Sequence, residues 1–209
     1  MSIVTYNNRS IANISAIPGA AKSLTLIKTL TASSSSTLSL VNGSSDVVFD
    51  STYPIYLVKF INIHPSQSSN NGFQFQATTD GSNFNTTLTS TFFRAYHFES
   101  PNGNETVGYQ TAQDKAQSTD FQRITHDDDL GNDNDSSGSG ELMFFNPSST
   151  TFVKHFVTNF NHNQSNAFTV NVYVAGYFNT TSAITGLQFK MGSGNVDSGT
   201  IKLYGLKDS

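Results

Sequence analysis

The sequence contains no cysteine and no tryptophan, and charged residues make up only 12% of its 209 residues. Without cysteine, the chain can form neither a disulfide framework nor a cysteine-bound zinc site. The charged fraction is about half of the roughly 25% that is usual for soluble domains. Serine, threonine, asparagine and glutamine must therefore keep the chain soluble, and these residues suit strand faces and turns better than helix interiors.

Basic residues are also few, since 11 lysines and arginines face 15 acidic residues and the net charge is −4. They are scattered, whereas proteins that bind phosphate backbones cluster them in a patch, so we expect no nucleic-acid partner. No run approaches 18 apolar residues, and the first residues lack a basic region followed by an apolar core. The sequence therefore predicts a soluble chain made in the cytosol, with no signal peptide and no membrane partner.

Aromatic residues are well represented, with 17 phenylalanines and 8 tyrosines, so we expect a core built from rings. Short apolar or alternating runs between turn-forming clusters predict eleven strands. They cover residues 24–30, 37–41, 46–49, 55–63, 73–78, 92–98, 141–145, 152–160, 168–178, 184–191 and 200–206. No window shows a helical stripe. The pattern predicts an all-β protein, an antiparallel two-sheet sandwich of jelly-roll type.

Individual strands carry more specific signals. In "GFQFQATTDGSNF", alternation and the Asp80-Gly81 turn predict a hairpin whose second strand begins near Phe84. The runs "YPIYLVKFINIH" and "AFTVNVYVAGYF" are apolar on both strand faces. Ordinary core is the favoured interpretation of such runs, and a subunit contact is the alternative. Gly176 indicates either a bulge or a close approach of two backbones.

The segment 103–140 is the least strand-like and contains the acidic stretch "HDDDLGNDNDSSGSGE". Its carboxylates offer the oxygen ligands that calcium prefers, and the candidate ligands are Asp127, Asp129, Asp133 and Asp135. An EF-hand count that starts at Asp133 places Phe144 at the twelfth position, where glutamate is required. A solvated acidic loop is therefore the favoured interpretation and a calcium site the alternative.

Residues that could support catalysis do not occur in productive patterns. The five histidines form none of the spacings typical of zinc sites, and each is expected in a loop or at a strand end: His64, His97, His126, His155 and His162. Glutamate occurs only at Glu99, Glu105 and Glu141, which leaves little choice for the acid pair of a glycosidase. Nucleotide-binding loops and the hydrolase nucleophile elbow are absent from the sequence. We expect no enzymatic activity, no cofactor and no catalytic residue.

Four stretches of the sequence carry a family resemblance: "TYNNRSIANISAIPGA", "IKTLTASSSSTLSLVNG", "FFNPSSTTFVKHFVTNFN" and "VAGYFNTTSAITGLQFKMGSGNVDSGTIKLYGLK". They resemble structural proteins of tailed bacteriophages, especially those of marine hosts. The resemblance implies a non-enzymatic virion protein, made in the host cytoplasm, that decorates the capsid or belongs to the tail and contacts other phage structural proteins. The alternative is a receptor-binding or glycan-binding module of a tail fibre that uses its long loops.

The same resemblance suggests how the chain closes its fold. "SGNVDSGTIKLYGLK" looks like the closing hairpin of these proteins, in which Ile201, Leu203 and Leu206 seal the sandwich. We also expect a homo-oligomer, with a trimer as the first candidate, because the two-faced apolar strands offer more hydrophobic surface than one interior needs.

Residues 1–20 precede the first predicted strand and are expected to form an extended arm, leaving 21–209 as one sandwich domain with a long polar loop at about 102–140. The apolar residues of the arm are its partner-binding candidates: Ile3, Tyr6, Ile11, Ile14 and Ile17. We expect the arm to dock on a neighbouring subunit or another virion protein. Packing of the arm on its own sandwich as an edge strand is the alternative.

Overall fold

The computed structural model describes residues 24–69, 71–126, 130–165 and 167–207, and these residues form twelve strands and no helix. The strands are β1 (Leu24–Thr31), β2 (Leu38–Val41), β3 (Ile55–Pro65), β4 (Phe73–Thr78), β5 (Leu88–Phe98), β6 (Glu105–Tyr109), β7 (Gln122–Arg123), β8 (Gly138–Phe145), β9 (Lys154–Gln164), β10 (Phe168–Phe178), β11 (Gly186–Met191) and β12 (Val196–Leu206). The prediction of an all-β protein is confirmed.

The strands form two antiparallel sheets. The large sheet has the order β1-β12-β3-β8-β9-β10-β5-β6, and the small sheet has the order β2-β11-β4-β7. Four strands of the large sheet, β1-β12-β3-β8, and the four strands of the small sheet, β2-β11-β4-β7, have the order of a jelly roll. The chain passes repeatedly between the two sheets, as it does in that fold. The strands β9, β10, β5 and β6 extend the large sheet beyond β8. The predicted jelly-roll sandwich is thus confirmed, with a large sheet twice as wide as the small one.

The core between the sheets is built from phenylalanine rings, as the aromatic content predicts. Phe60 on β3 lies at its centre, with ring centroids 5.4 Å from Phe73, 5.9 Å from Phe160 and 5.3 Å from Phe189. All four rings are buried, and the three contacts of Phe60 have the edge-on geometry that aromatic pairs prefer. Rings from β3 and β9 of the large sheet therefore interlock with rings from β4 and β11 of the small sheet.

Two predicted hairpins are wrong. The turn after β4 does form around Gly81, which has φ 79°, but the chain then crosses to the large sheet, where β5 pairs with β10 and β6. Likewise, β11 lies in the small sheet and β12 in the large one. Ile201 and Leu203 are buried as expected, whereas Leu206 lies on the outer face of the large sheet and does not seal the sandwich. Alternation fixes which side chains face the core, and it does not choose the strand's partner.

The predicted strand at residues 46–49 is also wrong. Ser45 and Asp46 have positive φ values of 50° and 67°, so the backbone turns here and forms no ladder. Val47 and Phe49 are nevertheless buried in the core. Conversely, the polar segment 103–140 contains β6, β7 and the start of β8, whose residues lack an apolar alternation. Side-chain burial and backbone pairing are separate properties of a segment. Residues 46–49 bury side chains without pairing, and the strands of the polar segment pair without an apolar pattern.

Gly176 marks a close approach of backbones and not a bulge, because β10 pairs with β5 and β9 in unbroken register along its whole length. A Cβ atom at Gly176 would lie 2.4 Å from the carbonyl oxygen of Thr89 and 3.0 Å from the Cα atom of Ser90. Only glycine fits there without a shift of the neighbouring strand.

Candidate functional site

The outer face of the large sheet is the most extensive candidate binding surface. Along β9 and β10, inward-facing residues such as Phe156 and Val172 are buried, while the residues between them are exposed or partly exposed. None of the described strands packs on this outer face, since the small sheet covers the inner one. Two regions of different chemistry divide it.

The first region is an apolar strip that crosses six strands at one end of the face. In register, one row joins Leu26, Tyr204, Leu57, Met143, Val157 and Ala175, and a second row joins Leu24, Leu206, Ile55 and Phe145. At the usual strand spacing of about 4.8 Å, the longer row is about 24 Å long. Leu24, Leu26 and Val157 are each exposed by 44% or more. Leu57, in the middle of the longer row, is only 7% exposed. Large exposed apolar patches are typical of interaction sites, which makes this strip a candidate.

The second region is an amide trough on the same face, and the Lys59–Glu141 ion pair lies at one end of it. One row of the sheet joins Lys59, Glu141, Asn159, Tyr173, Phe93 and Tyr109, and the next joins Ser139, Asn161, Asn171, Ala95 and Val107. Two open depressions of about 360 and 480 Å³ lie here and share Asn161 and Asn171. We define the trough by the residues that line these depressions and by the flanking rings of Tyr173 and Phe93.

Hydrogen bonds hold some of the trough's amides and leave others available. The Asn161 side chain donates from Nδ2 to Thr169 Oγ1 at 2.9 Å and to the Val170 carbonyl at 3.1 Å. Asn159 Oδ1 is buried and accepts no hydrogen bond in the described part of the chain. None of the hydrogen bonds among the described residues uses the Asn171 side chain. The trough therefore combines one fixed amide, that of Asn161, with one that can bind a ligand, that of Asn171, while Asn159 Oδ1 lies out of reach of a ligand.

No family model, curated protein or solved structure matches this chain. Of the surfaces described above, the apolar strip and the amide trough are the two whose chemistry favours binding.

Two histidines depart from the surface location that the sequence predicted. His126 is buried, its Nε2 donates to Gln110 Oε1 at 3.1 Å, and its Nδ1 accepts from Arg94 at 2.6 Å. Burial, with a further contribution from Arg94 and Arg123, lowers the pKa of His126 to about 4. His162 occupies an inward position of β9, and neither of its ring nitrogens has a hydrogen-bond partner among the residues that the structure describes. Burial lowers its pKa to about 3.

Acid should destabilise the fold through His162. Its folded pKa lies below the ordinary value of 6.5, so the unfolded chain binds the extra proton and the free energy of unfolding falls as pH drops from 6.5 towards 3. One such histidine contributes a slope of about 1.4 kcal/mol per pH unit. In urea denaturation between pH 6.5 and 4, we expect the slope of His162→Gln to be smaller than that of the wild type by up to this amount.

The matched control for this measurement is His155→Gln, because His155 lies on the exposed phase of the same strand. This variant measures what the same histidine-to-glutamine change does outside the core. Equal slopes for the wild type and His162→Gln would show that the buried ring does not couple folding to pH.

The described residues contain no group of three His, Asp or Glu side chains placed to hold a metal ion. Asp133 and Asp135 lie in the loop before β8, where the Asp133 carbonyl accepts a hydrogen bond from the Ser136 amide at 2.8 Å. Asp127 and Asp129 lie outside the described residues, so calcium binding by the whole loop stays a prediction. In the ranges that the structure describes, no helix has the length and apolar character needed to cross a membrane.

The partner-binding candidates of the predicted arm, Ile3, Tyr6, Ile11, Ile14 and Ile17, also lie outside the described residues. Docking of the arm stays a prediction.

The amide trough was not predicted from the sequence, although the sequence does contain one signal for it. In "KHFVTNFNHNQ" the asparagines Asn159, Asn161 and Asn163 recur at every second position, which puts all three on one strand face.

Proposed function

We propose that this chain is a non-enzymatic structural protein of a bacteriophage particle, a jelly-roll subunit of the capsid decoration or the tail. It works through contacts with copies of itself and with other virion proteins. The apolar strip carries this proposal, because no strand of the described part of the chain covers that surface. Burial of apolar surface contributes about 25 cal/mol per Å², which favours association through the strip. The resemblance to phage structural proteins supports the placement in a virion.

Strand β3 shows why association is favoured. Its inward residues Tyr56, Val58 and Phe60 are fully buried in the core, as ordinary core residues would be. Its outward residues Ile55 and Leu57 belong to the apolar strip. Core packing therefore accounts for one face of the strand. On the other face Leu57 is only 7% exposed, so a subunit contact would mainly cover Ile55 and the exposed strip residues Leu24, Leu26 and Val157. Closed symmetry is the usual way to cover such a surface, and we expect a trimer.

A charge in the middle of the apolar strip should weaken the oligomer. Val157 is 45% exposed, so Val157→Lys places an ammonium group on the strip without entering the core. In light scattering, the wild type should have a mass that is a multiple of the 22.7 kDa chain, and the variant should shift towards the monomer. Far-UV circular dichroism should be the same for both proteins.

Val107→Lys provides the matched control, since Val107 is 74% exposed on the edge strand β6 and lies off the strip. It should keep the mass of the wild type. A wild-type protein that is monomeric at micromolar concentration would contradict association through the strip.

The placement in a virion has its own test. Mass spectrometry of purified particles of the phage that encodes this chain should detect it in stoichiometric amounts with the other structural proteins. Its absence from the particles would contradict this part of the proposal, even if the purified chain forms an oligomer.

A second function, binding of a receptor or a glycan, is favoured by the amide trough. From the sequence, the long loops were expected to form the binding site. The structure offers instead a sheet face on which the Asn171 side chain lines both depressions and is used by none of the hydrogen bonds among the described residues. Binding and self-association are compatible, because the trough and the strip occupy different parts of the face.

A further inference from the structure

We propose that the amide trough binds a neutral oligosaccharide that lies across the strands. The proposal specifies the binding function that the trough favours, and it does not depend on the placement in a virion. The small side chains of Ser139, Asn161, Asn171 and Ala95 occupy successive strands from β8 to β5, and Val107 follows on β6. At about 4.8 Å per strand, this row is about 19 Å long. An open trough of that length suits an extended chain of several rings better than a compact ligand.

The polar groups of the trough match hydroxyl groups. The Asn171 side chain lines both depressions and takes part in none of the hydrogen bonds among the described residues. A sugar hydroxyl can donate to the amide oxygen of Asn171 and accept from its amide nitrogen. Asn161 is already held by its bonds to Thr169 and Val170, so its amide is oriented before a ligand binds. Such preorganisation lowers the entropy lost on binding.

The apolar groups of the trough match the C–H faces of sugar rings. Tyr173 lies directly opposite Asn159 in register, and Phe93 lies opposite Tyr173 on the next strand. Their rings stack at a centroid distance of 5.0 Å with an interplanar angle of 16°, and both are exposed by more than a third. Ala95 and Val107 continue the apolar surface beside Asn171. Aromatic and amide groups side by side suit a ligand whose rings are apolar on their faces and polar at their rims.

The charges of the trough favour a neutral ligand. Lys59 Nζ pairs with Glu141 Oε2, so the two charges at one end compensate each other. At the other end the lining includes Glu105 beside His97, and this carboxylate would repel an anion. Sites for phosphate, sulfate or carboxylate groups instead gather arginine or lysine donors. An acidic polysaccharide or a nucleic acid is therefore a poor match.

The test is a titration of the full-length, ¹⁵N-labelled chain with single neutral oligosaccharides, followed by NMR. The probes are cellohexaose, chitohexaose, laminarihexaose, mannohexaose and maltohexaose, with hexagalacturonic acid as the acidic comparison. At least one neutral probe should shift amide resonances of β8, β9, β10 and β5. In Asn171→Leu, which keeps the side-chain size and removes the amide, the affinity should fall about tenfold or more.

Tyr173→Ala is a second variant. It removes the aromatic surface on which a sugar ring would stack, so it should also weaken binding of the probe. Val157→Lys is the matched control outside the trough and should bind the probe as the wild type does. The proposal is overturned if no neutral probe binds at millimolar concentration, if only the acidic probe binds, or if Asn171→Leu and Tyr173→Ala bind normally. A change of oligomeric mass in Asn171→Leu would assign the trough to a second copy of the chain and would also overturn it.

These outcomes are distinct from those of the proposed virion function. Loss of the oligomer in Val157→Lys and detection of the chain in particles test the strip and the virion. Neither result depends on the binding of a sugar.

Discussion

Phe60→Ala should lower the free energy of unfolding by about 3–5 kcal/mol, as expected when a fully buried phenylalanine is truncated. Phe60 is 1% exposed and contacts rings from three other strands, so the cavity cannot close by the movement of one neighbour. Urea denaturation followed by circular dichroism measures the change. Because domains of this kind are stable by only about 5–15 kcal/mol, the variant should lose a large part of its stability.

Phe152→Ala is the control for this truncation. Phe152 is 70% exposed in the loop before β9, so the same substitution should change stability by about 0.5 kcal/mol or less. A loss in Phe152→Ala as large as that in Phe60→Ala would mean that the ring cluster around Phe60 is not the centre of the core.

Gly176→Ala should destabilise the large sheet by about 2–3 kcal/mol, although it adds a single methyl group. The added Cβ atom would meet the Thr89 carbonyl oxygen at 2.4 Å and a ring carbon of Phe156 at 2.8 Å. The first of these atoms is backbone of the neighbouring strand, which cannot move without disturbing its own pairing. Thermal or urea denaturation of the purified variant measures the effect.

Gly108→Ala makes the same change on the edge strand β6. The nearest atom to its added Cβ would be the Gln110 side-chain nitrogen at 3.7 Å, an ordinary contact. This variant should be as stable as the wild type or slightly more stable, because alanine restricts the unfolded chain. If both glycine variants were equally stable, the close packing of β10 against β5 would be contradicted.

The fold class could be predicted from the sequence because its signals are local. Alternation in residues 73–78 and 168–178 shows which side chains face the core, and both segments are strands. Partner choice could not be predicted in the same way, since β5 pairs with β10, about 80 residues away in sequence, and not with the adjacent β4. The two-residue strand β7 was missed because Gln122 and Arg123 carry no apolar pattern.

The candidate site was only partly accessible from the sequence. The apolar run of β3 did indicate outward-facing apolar residues, and two of its residues, Ile55 and Leu57, lie on the apolar strip. The amide trough takes single residues from several strands, and each asparagine is ordinary in a chain rich in that residue. Its existence depends on the order β8-β9-β10-β5 in the sheet, which only the three-dimensional structure shows.

The place of β12 in the large sheet has a consequence for synthesis. β12 is the last described strand to leave the ribosome, yet it lies between β1 and β3, which leave it early. Within the described residues, β1 has no other strand partner. It therefore remains unpaired during translation until β12 has been made. Unpaired strand edges are prone to aggregation, so a chaperone would most usefully shield β1 and β3 during this interval. A chain cut short after β11 would lack the strand that joins β1 to β3, so the eight-stranded sheet could form only after β12 has been made.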